Sequence, residues 1–438
     1  MTWNQMSGRM PRGRRRARGH WLAMAAATMT VIASVTACNT DQLLNVKAPD
    51  RVPAETLDDP TQAGLIVNSA VADFECAFAS YALAQAIMSD ELSDAQLGAA
   101  AWPYDRRDMG TQTNGIYGTN SCNNNQNPGI YTPLSTARWD ADNALGKLQG
   151  WTDEEVGPDR TALIATAALY SGFSHAALGM AMCEAAFDLQ APIDQQAIFA
   201  RAEDRFTTAL DAATQAGGMD SVVSAAYLGR ARVRLFQGNT AGAIADAGQV
   251  PEGFVYNATY ASDQSRRYNR VYASTTQFGL YTVAEESRGI TTEGVEDPRS
   301  MTQLKTTNAA DPDEVIWAPT KYTGDDTPIR IASYDEARLI LAEAKGGSDA
   351  VTIINDIRDD YGVPHYTGGT DAASIEDLIA HERRVTLFAE GFRQYDIQRL
   401  QLPQLPAQGA SFSKGGFYGN TTCLPLPDIE RYNNPNVP

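Results

Sequence analysis

Between residues 134 and 248 the chain repeats one theme: Ala-rich stretches of helical length separated by very short breaks. The stretches cover residues 134–148, 159–186, 195–215, 220–237 and 240–248. The breaks fall at Pro192, Gly217-Gly218 and Gly238-Asn239, residue types that end helices. Small residues such as Ala226, Gly229 and Ala231 sit where neighbouring helices would approach closely. So many helices joined this tightly predict a mainly α fold; the length by itself allows two or three domains, or one large one.

The pattern continues on both sides. Residues 59–92 read as a helix: Asp59 can cap it, Pro60 fits its first position, and apolar residues recur from Leu65 to Leu83. Helices are also expected over residues 331–345, 349–361 and 374–400. The last carries an apolar stripe through Ile375, Leu378, Ile379, Val385, Phe388, Phe392 and Tyr395, with one slot taken by Glu382. Two segments lose helical regularity, 98–133 and 250–330. The first is rich in Gly, Asn, Pro and Tyr and holds the run from Asn120 to Pro128; it is expected to be functional or disordered, with order favoured if Cys122 is bonded. From Gln401 onward the chain reads as Pro- and Gly-rich coil.

Charge divides the 438 residues in two. Residues 1–37 hold six arginines and no acid; removing them leaves 29 basic and 53 acidic residues, a net charge of −24. A body so acidic argues against nucleic-acid binding. The basic start, a short apolar run and small residues at its end make residues 1–37 a secretory leader. Its close, Val35-Thr36-Ala37-Cys38, resembles a bacterial lipobox, which implies cleavage before Cys38 and lipidation of that cysteine. Two or more acyl chains would anchor the protein firmly to a membrane. The alternative is an ordinary cleaved leader beside an incidental cysteine. Residues 38–58, polar and with Pro49 and Pro53, then read as a tether. Four cysteines remain, Cys76, Cys122, Cys183 and Cys423. An even number in an exported chain suggests disulfides. Three pairings are open; Cys76–Cys122 with Cys183–Cys423 is preferred, with buried free thiols as the alternative.

Ala225-Ala226-Tyr227-Leu228-Gly229-Arg230-Ala231 followed by Gly238-Asn239 resembles the tetratricopeptide pattern of paired antiparallel helices. Further segments resemble, in order, the SusD/RagB-like nutrient-binding lipoproteins of bacterial outer membranes. Leu43-Leu44-Asn45-Val46 with Pro49 resembles the family's opening; Asp73-Phe74 and Ser89-Asp90-Glu91-Leu92 resemble its first helix and exit. The stretch from Ser333 to Ala344 resembles its aromatic-x-E-A-x-L-x-x-A-E-A helix, and Ile354-Asn355-Asp356-Ile357-Arg358 the helix that follows. The stretch from His381 to Arg399 resembles its E-R-R-x-E-L-x-x-E-G-x-R-x-x-D-L-x-R signature, with Thr386 in place of the usual acid. Leu424-Pro425-Leu426-Pro427 through Asn433-Asn434-Pro435-Asn436 resembles its close. The resemblance implies tetratricopeptide-like helix pairs over about 134–248 and 331–400 in a domain spanning 59–438, with the irregular segments as ligand face. It also implies a glycan or peptide ligand, a SusC-like TonB-dependent transporter as partner, an outer-membrane, surface-exposed location, and no catalysis.

The charged signature residues Glu382, Arg383, Arg384, Glu390, Arg393, Asp396 and Arg399, with Gly391, are read as structural glue between helices. Opposite charges three or four positions apart on a helix pair with each other, and a carboxylate on an apolar stripe needs a cationic partner. No metalloprotease helix is present, since Val385 stands where H-E-x-x-H needs its second histidine. The acids Asp90, Glu91 and Asp94 read as a solvated helix end or as a calcium or sugar contact; loop acids Asp311, Asp313, Asp325 and Asp326 leave calcium open without a spaced motif for it. No cofactor is called for. The ligand candidates are aromatics of the irregular segments: Trp102, Tyr104, Tyr117, Tyr131, Tyr256, Tyr260, Tyr272, Trp317 and Tyr322. Such rings offer flat apolar faces to sugar C–H groups, although packing between loops is the commoner role for any one of them. Two other functions compete: a periplasm-facing tetratricopeptide-type scaffold, and a helical glycoside hydrolase needing two carboxylates across a cleft.

Overall fold

A computed structural model describes residues 57–98, 102–109 and 116–437. The leader, Cys38 and all but the last two residues of the tether lie outside the described residues.

Helix α1, Ala63–Met88, begins as its sequence dictates. The Asp59 carboxylate accepts the Thr61 N–H at 2.9 Å and Pro60 opens a short 3-10 turn ahead of it. From Cys76 to Met88 every residue of α1 is buried, so the helix runs through the core. Against it pack α2 (Tyr131–Gly150) and α3 (Arg160–Ala181), followed in series by α4 (Gln195–Ala216), α5 (Asp220–Phe236) and α6 (Thr240–Ala247). Helix α7 (Tyr334–Lys345) continues the series beside α6, with α8 (Gly347–Tyr361) and α9 (Ala372–Thr386) on its other sides. This is the mainly α, tetratricopeptide-like arrangement read from the breaks between helices. The starts are capped by short polar side chains: Asp194 accepts the Ala197 N–H, Asn239 that of Gly242, and Asp371 that of Ser374. Gly229 shows how close the neighbours come. A Cβ there would lie 2.4 Å from the Phe206 ring, so any side chain would force α5 away from α4.

The expected helix over 374–400 is not continuous. It stops at Thr386 and restarts as α10 (Arg393–Arg399). Between them Ala389 and Gly391 take φ of +55° and +89°, a region that breaks a right-handed helix. Buried side chains accept and donate to the freed backbone: Glu91 Oε1 takes the Ala389 N–H, while Tyr322 and Tyr81 hydroxyls donate to Ala389 O and Gly391 O. The expected helix over 331–345 also starts later, because residues up to Ser333 are drawn into a strand.

The strands pin the irregular segments. Among the described residues each sheet has two antiparallel strands. Strand β1 (Leu92–Asp94) pairs with β3 (Tyr281–Val283), joining the exit of α1 to the second insertion. Strand β2 (Val255–Ala258) pairs with β6 (Ile329–Ser333), closing that insertion at its base. Strands β4 (Thr302–Asn308) and β5 (Val315–Pro319) form a hairpin beside β3, held by the Thr282 hydroxyl, which donates to Val315 O and accepts the Trp317 N–H.

Candidate ligand-binding face

Sulfur–sulfur bonds join Cys76 to Cys122 and Cys183 to Cys423. The first fastens the Asn-rich segment to α1, and that segment is ordered. Asn124 Oδ1 accepts from the N–H groups of Gln126 and Asn127, and Asn120 Nδ2 donates to Asn127 O. Arg270, itself buried, donates to Cys122 O and Asn125 Oδ1. Tyr281 reaches Gln126 O and Ser80 reaches Gly129 O. The polar run is a scaffold: core side chains reach the carbonyls of Cys122, Asn125, Gln126, Pro128 and Gly129.

This scaffold removes most of the aromatic ligand candidates. Tyr104, Tyr117, Tyr131, Tyr260 and Tyr322 are buried. Four of them donate to backbone carbonyls: Tyr104 to Pro128, Tyr131 to Ala186, Tyr260 to Glu75 and Tyr322 to Ala389. They pack loops onto helices, and the expectation that they meet ligand is corrected on that ground: a ring without exposed surface offers no face to a sugar. Tyr256 is half-buried, but its ring lies 6.2 Å from Phe173 and its hydroxyl donates to that of Tyr170. Tyr272 is half-buried at a turn whose N–H is taken by Asn269 Oδ1. Trp317 is half-buried on β5 with the Arg288 guanidinium 5.6 Å from its ring.

Trp102, half-buried, alone of the nine joins an aromatic cluster that borders exposed apolar side chains; in it Phe412 is buried and Tyr418 half-buried. Its indole N–H donates to Gln96 O, and its ring centroid lies 6.0 Å from that of Phe412. Phe412 in turn meets Tyr418 edge-on at 5.4 Å, and the Arg107 guanidinium sits 4.8 Å over the Tyr418 ring. Next to these, Phe417 is 67% exposed and Leu97 63% exposed. Phe412, Phe417 and Tyr418 belong to the segment read only as Pro- and Gly-rich coil. The signal that could have found them is local: Phe-Ser-Lys-Gly-Gly-Phe-Tyr-Gly spaces three rings between glycines, a turn that presents aromatics.

Lys414, on the same turn, ties it to the other loops. Its ammonium donates to Asp94 O and lies 3.6 Å from the carboxylates of Asp94 and Asp311 and 3.8 Å from that of Glu314. Burial pushes Asp94 up to about 7, against the Gln96 N–H and Lys414, which favour its charge. Burial likewise pushes Asp105 up to about 6, and its carboxylate accepts the Asp94 N–H at 2.7 Å. Glu314 also lines a cleft of about 420 Å³ on the β4–β5 hairpin, with Lys305, Thr306, Thr307 and Asn308. Three loops therefore converge through Lys414, with rings on one side and hydroxyl and amide groups on the other. Among the described residues no group of acids, histidines or cysteines is arranged to hold a metal.

The acids at the exit of α1 are not a solvated end. Asp90 is buried and accepts both Arg393 Nε and Nη2 at 2.7 and 2.8 Å, with Arg384 at 3.3 Å. Burial would raise its carboxyl, but the Arg393 and Arg384 guanidiniums outweigh that and hold it below the usual range. Among the described residues Glu91 forms no ion pair; its carboxylate accepts the Ala389 N–H, and burial pushes it up to about 8 although Arg393 and Lys321 nearby favour its charge.

The signature residues are buried in the same seam. Glu382 is fully buried between Arg299 and Arg358, each at 2.7 Å. Arg383 and Arg399 both reach Asp396 at 2.8 Å, and Arg399 continues to Glu343. Lys321 and Arg330 meet Glu390. Gly391 stands against the Tyr81 ring, where a Cβ would come within 2.5 Å. Only Asp396–Arg399 is a pair within one helix turn. The other charges reach across the break at 387–392 to different elements.

Residues 251–436 match the SusD family. Over those residues the sequence is similar to the SusD/RagB family. SusD-like protein P38 of Formosa agariphila is 34% identical over 87 residues, which is 17% of this chain and 17% of that protein. The curated relative is thus matched over far less than half its length. Among solved structures, a SusD-like carbohydrate binding protein from Bacteroides vulgatus superposes with a TM-score of 0.65 at 16% identity, covering 86% of this chain and 97% of the other. A laminarin binding SusD-like protein gives 0.59 at 16% identity over 86% and 98%. Surface glycan-binding protein A from Bacteroides uniformis gives 0.58 at 15% identity over 84% and 98%. At such identities the structures establish the SusD-like fold, helical pairs with loop insertions, over the described body.

Proposed function

We propose that this SusD-like chain is a non-catalytic, lipid-anchored outer-membrane protein that captures oligosaccharides at the Trp102–Phe417–Tyr418 face and delivers them to a SusC-like TonB-dependent transporter. The observation that carries the reading is the convergence of three loops on the exposed Phe417 ring and the half-buried Trp102 and Tyr418, beside a cleft of hydroxyl and amide groups. Rings cover sugar C–H faces and the polar groups meet hydroxyls. The similarity to proteins whose names record carbohydrate, laminarin and glycan binding supports it. In the seam Asp90, Glu382 and Asp396 are each paired with arginines, which supports a structural rather than a hydrolytic role for them. Anchoring through Cys38 rests on the leader and lipobox in the sequence.

Affinity electrophoresis through gels holding laminarin, pullulan, galactomannan or xylan tests the reading. The native chain should be retarded by at least one, and Trp102→Ala with Phe417→Ala should migrate as in an empty gel. Unchanged retardation in the double variant would refute the face. Protease shaving of whole cells should release the protein, and co-purification from solubilised membranes should bring down a barrel transporter.

A further inference from the structure

A second hollow lies at the stem of the segment that carries the aromatic turn. Two adjoining cavities of about 670 and 480 Å³ share the wall Gln401-Leu402-Pro403. Ile375, Ile379 and Leu400 give the larger one an apolar lining. The smaller is lined by five carboxamides: Gln398, Gln401, Gln404, Gln408 and Asn420.

Two of the five are already engaged, Gln398 with Gln195 at 2.8 Å and Gln404 with Thr421 O at 3.2 Å. Gln401, Gln408 and Asn420 are exposed, and among the described residues their amides meet no partner. Gln401 also has φ of +54°, a left-handed conformation that L side chains rarely adopt. Strain of this kind is retained where surrounding structure enforces a particular presentation. Here it sits on the wall common to both cavities.

Charge narrows the occupant. The one guanidinium in the lining, Arg399, is held by Glu343 and Asp396. Glu376 and Asp377 are exposed on the rim without a cation. An anionic chain would meet carboxylates and no free positive group. A carboxamide offers a donor and an acceptor together, which matches a hydroxyl, and the isoleucine, leucine and proline surface suits C–H faces. We propose that this groove is a second saccharide site, for an uncharged polyhydroxylated chain and distinct from the aromatic face. It rests on the glycan reading above.

The test uses the full chain and the oligosaccharide of about six units cut from whichever of the four polysaccharides retards it. Titration calorimetry should give two sites for the native protein. Gln401→Ala with Gln408→Ala and Asn420→Ala should leave one, and Trp102→Ala with Phe417→Ala should leave the other. Unchanged melting of the triple variant, whose three positions are exposed, excludes unfolding as the cause. One site in the native protein, kept by the triple variant and lost from the aromatic double, overturns the groove and leaves the glycan reading standing. Retardation by none of the polysaccharides overturns both.

Discussion

The seam around Glu382 and the face around Lys414 are made of the same materials: carboxylates, cationic side chains and aromatic rings. In the seam Glu382 is sealed between two guanidiniums and Phe392 lies beneath Arg232 and Arg383. At the face Lys414 gathers three carboxylates at 3.6 to 3.8 Å, while Phe417 and Leu97 stay in solvent. Residue type does not separate structural charge from a binding surface. What separates them is whether the rings beside the charges are covered.

The contrast breaks most sharply at Glu382. Glu382→Ala removes the carboxylate that Arg299 and Arg358 share, leaving them Asp297 and Glu293 respectively, and should lower stability by about 3 kcal/mol, read by denaturant unfolding. Arg393→Ala, which leaves Asp90 the more distant Arg384 guanidinium at 3.3 Å, should act in the same direction. Loss of glycan retardation at full stability in either variant would make the seam a site after all. Replacing Cys76 and Cys122 together by serine should remove about 2–4 kcal/mol. It should also weaken retardation, because the bond holds the Asn-rich scaffold beneath Trp102; an effect on stability alone would detach scaffold from face.

Next comes pH. The Glu91 carboxyl ordinarily titrates near 4.5 and is pushed up to about 8 in the fold, chiefly by burial. Between those values the folded chain holds a proton that the unfolded chain has released. Its contribution to stability is therefore complete below about 4.5 and is lost as pH rises through about 8, with a slope of up to about 1.4 kcal/mol per pH unit for one proton. Asp94 and Asp105, raised to about 7 and about 6, act with the same sign over lower windows. Glu91→Gln, neutral at every pH, should flatten the profile of melting temperature between pH 5 and 8. The smallest stability effect belongs to the face: Phe417→Ala should change it by less than about 0.5 kcal/mol while reducing glycan affinity several-fold by calorimetry.

Much of the helical body was legible because helix-length apolar patterning and short Gly or Pro breaks are local signals. The charged signature was legible as structural but not in its pairing. Glu382 pointed to a cationic partner, and nothing near it named Arg299, 83 positions away. The aromatic candidates show the limit from the other side. Tyr104 and Trp102 are two residues apart on one short helix, yet one is sealed against Pro128 and the other borders Phe412. Phe417 was passed over because its segment reads as coil.

The sequence by itself determined the acidic body and the series of helices, since these depend on composition and short-range periodicity. Tertiary structure alone decided which rings face water, where the 374–400 helix breaks, and which arginine answers which acid. Those outcomes depend on contacts between residues far apart in the chain, where burial sets both the exposure of a ring and the strength of a charge.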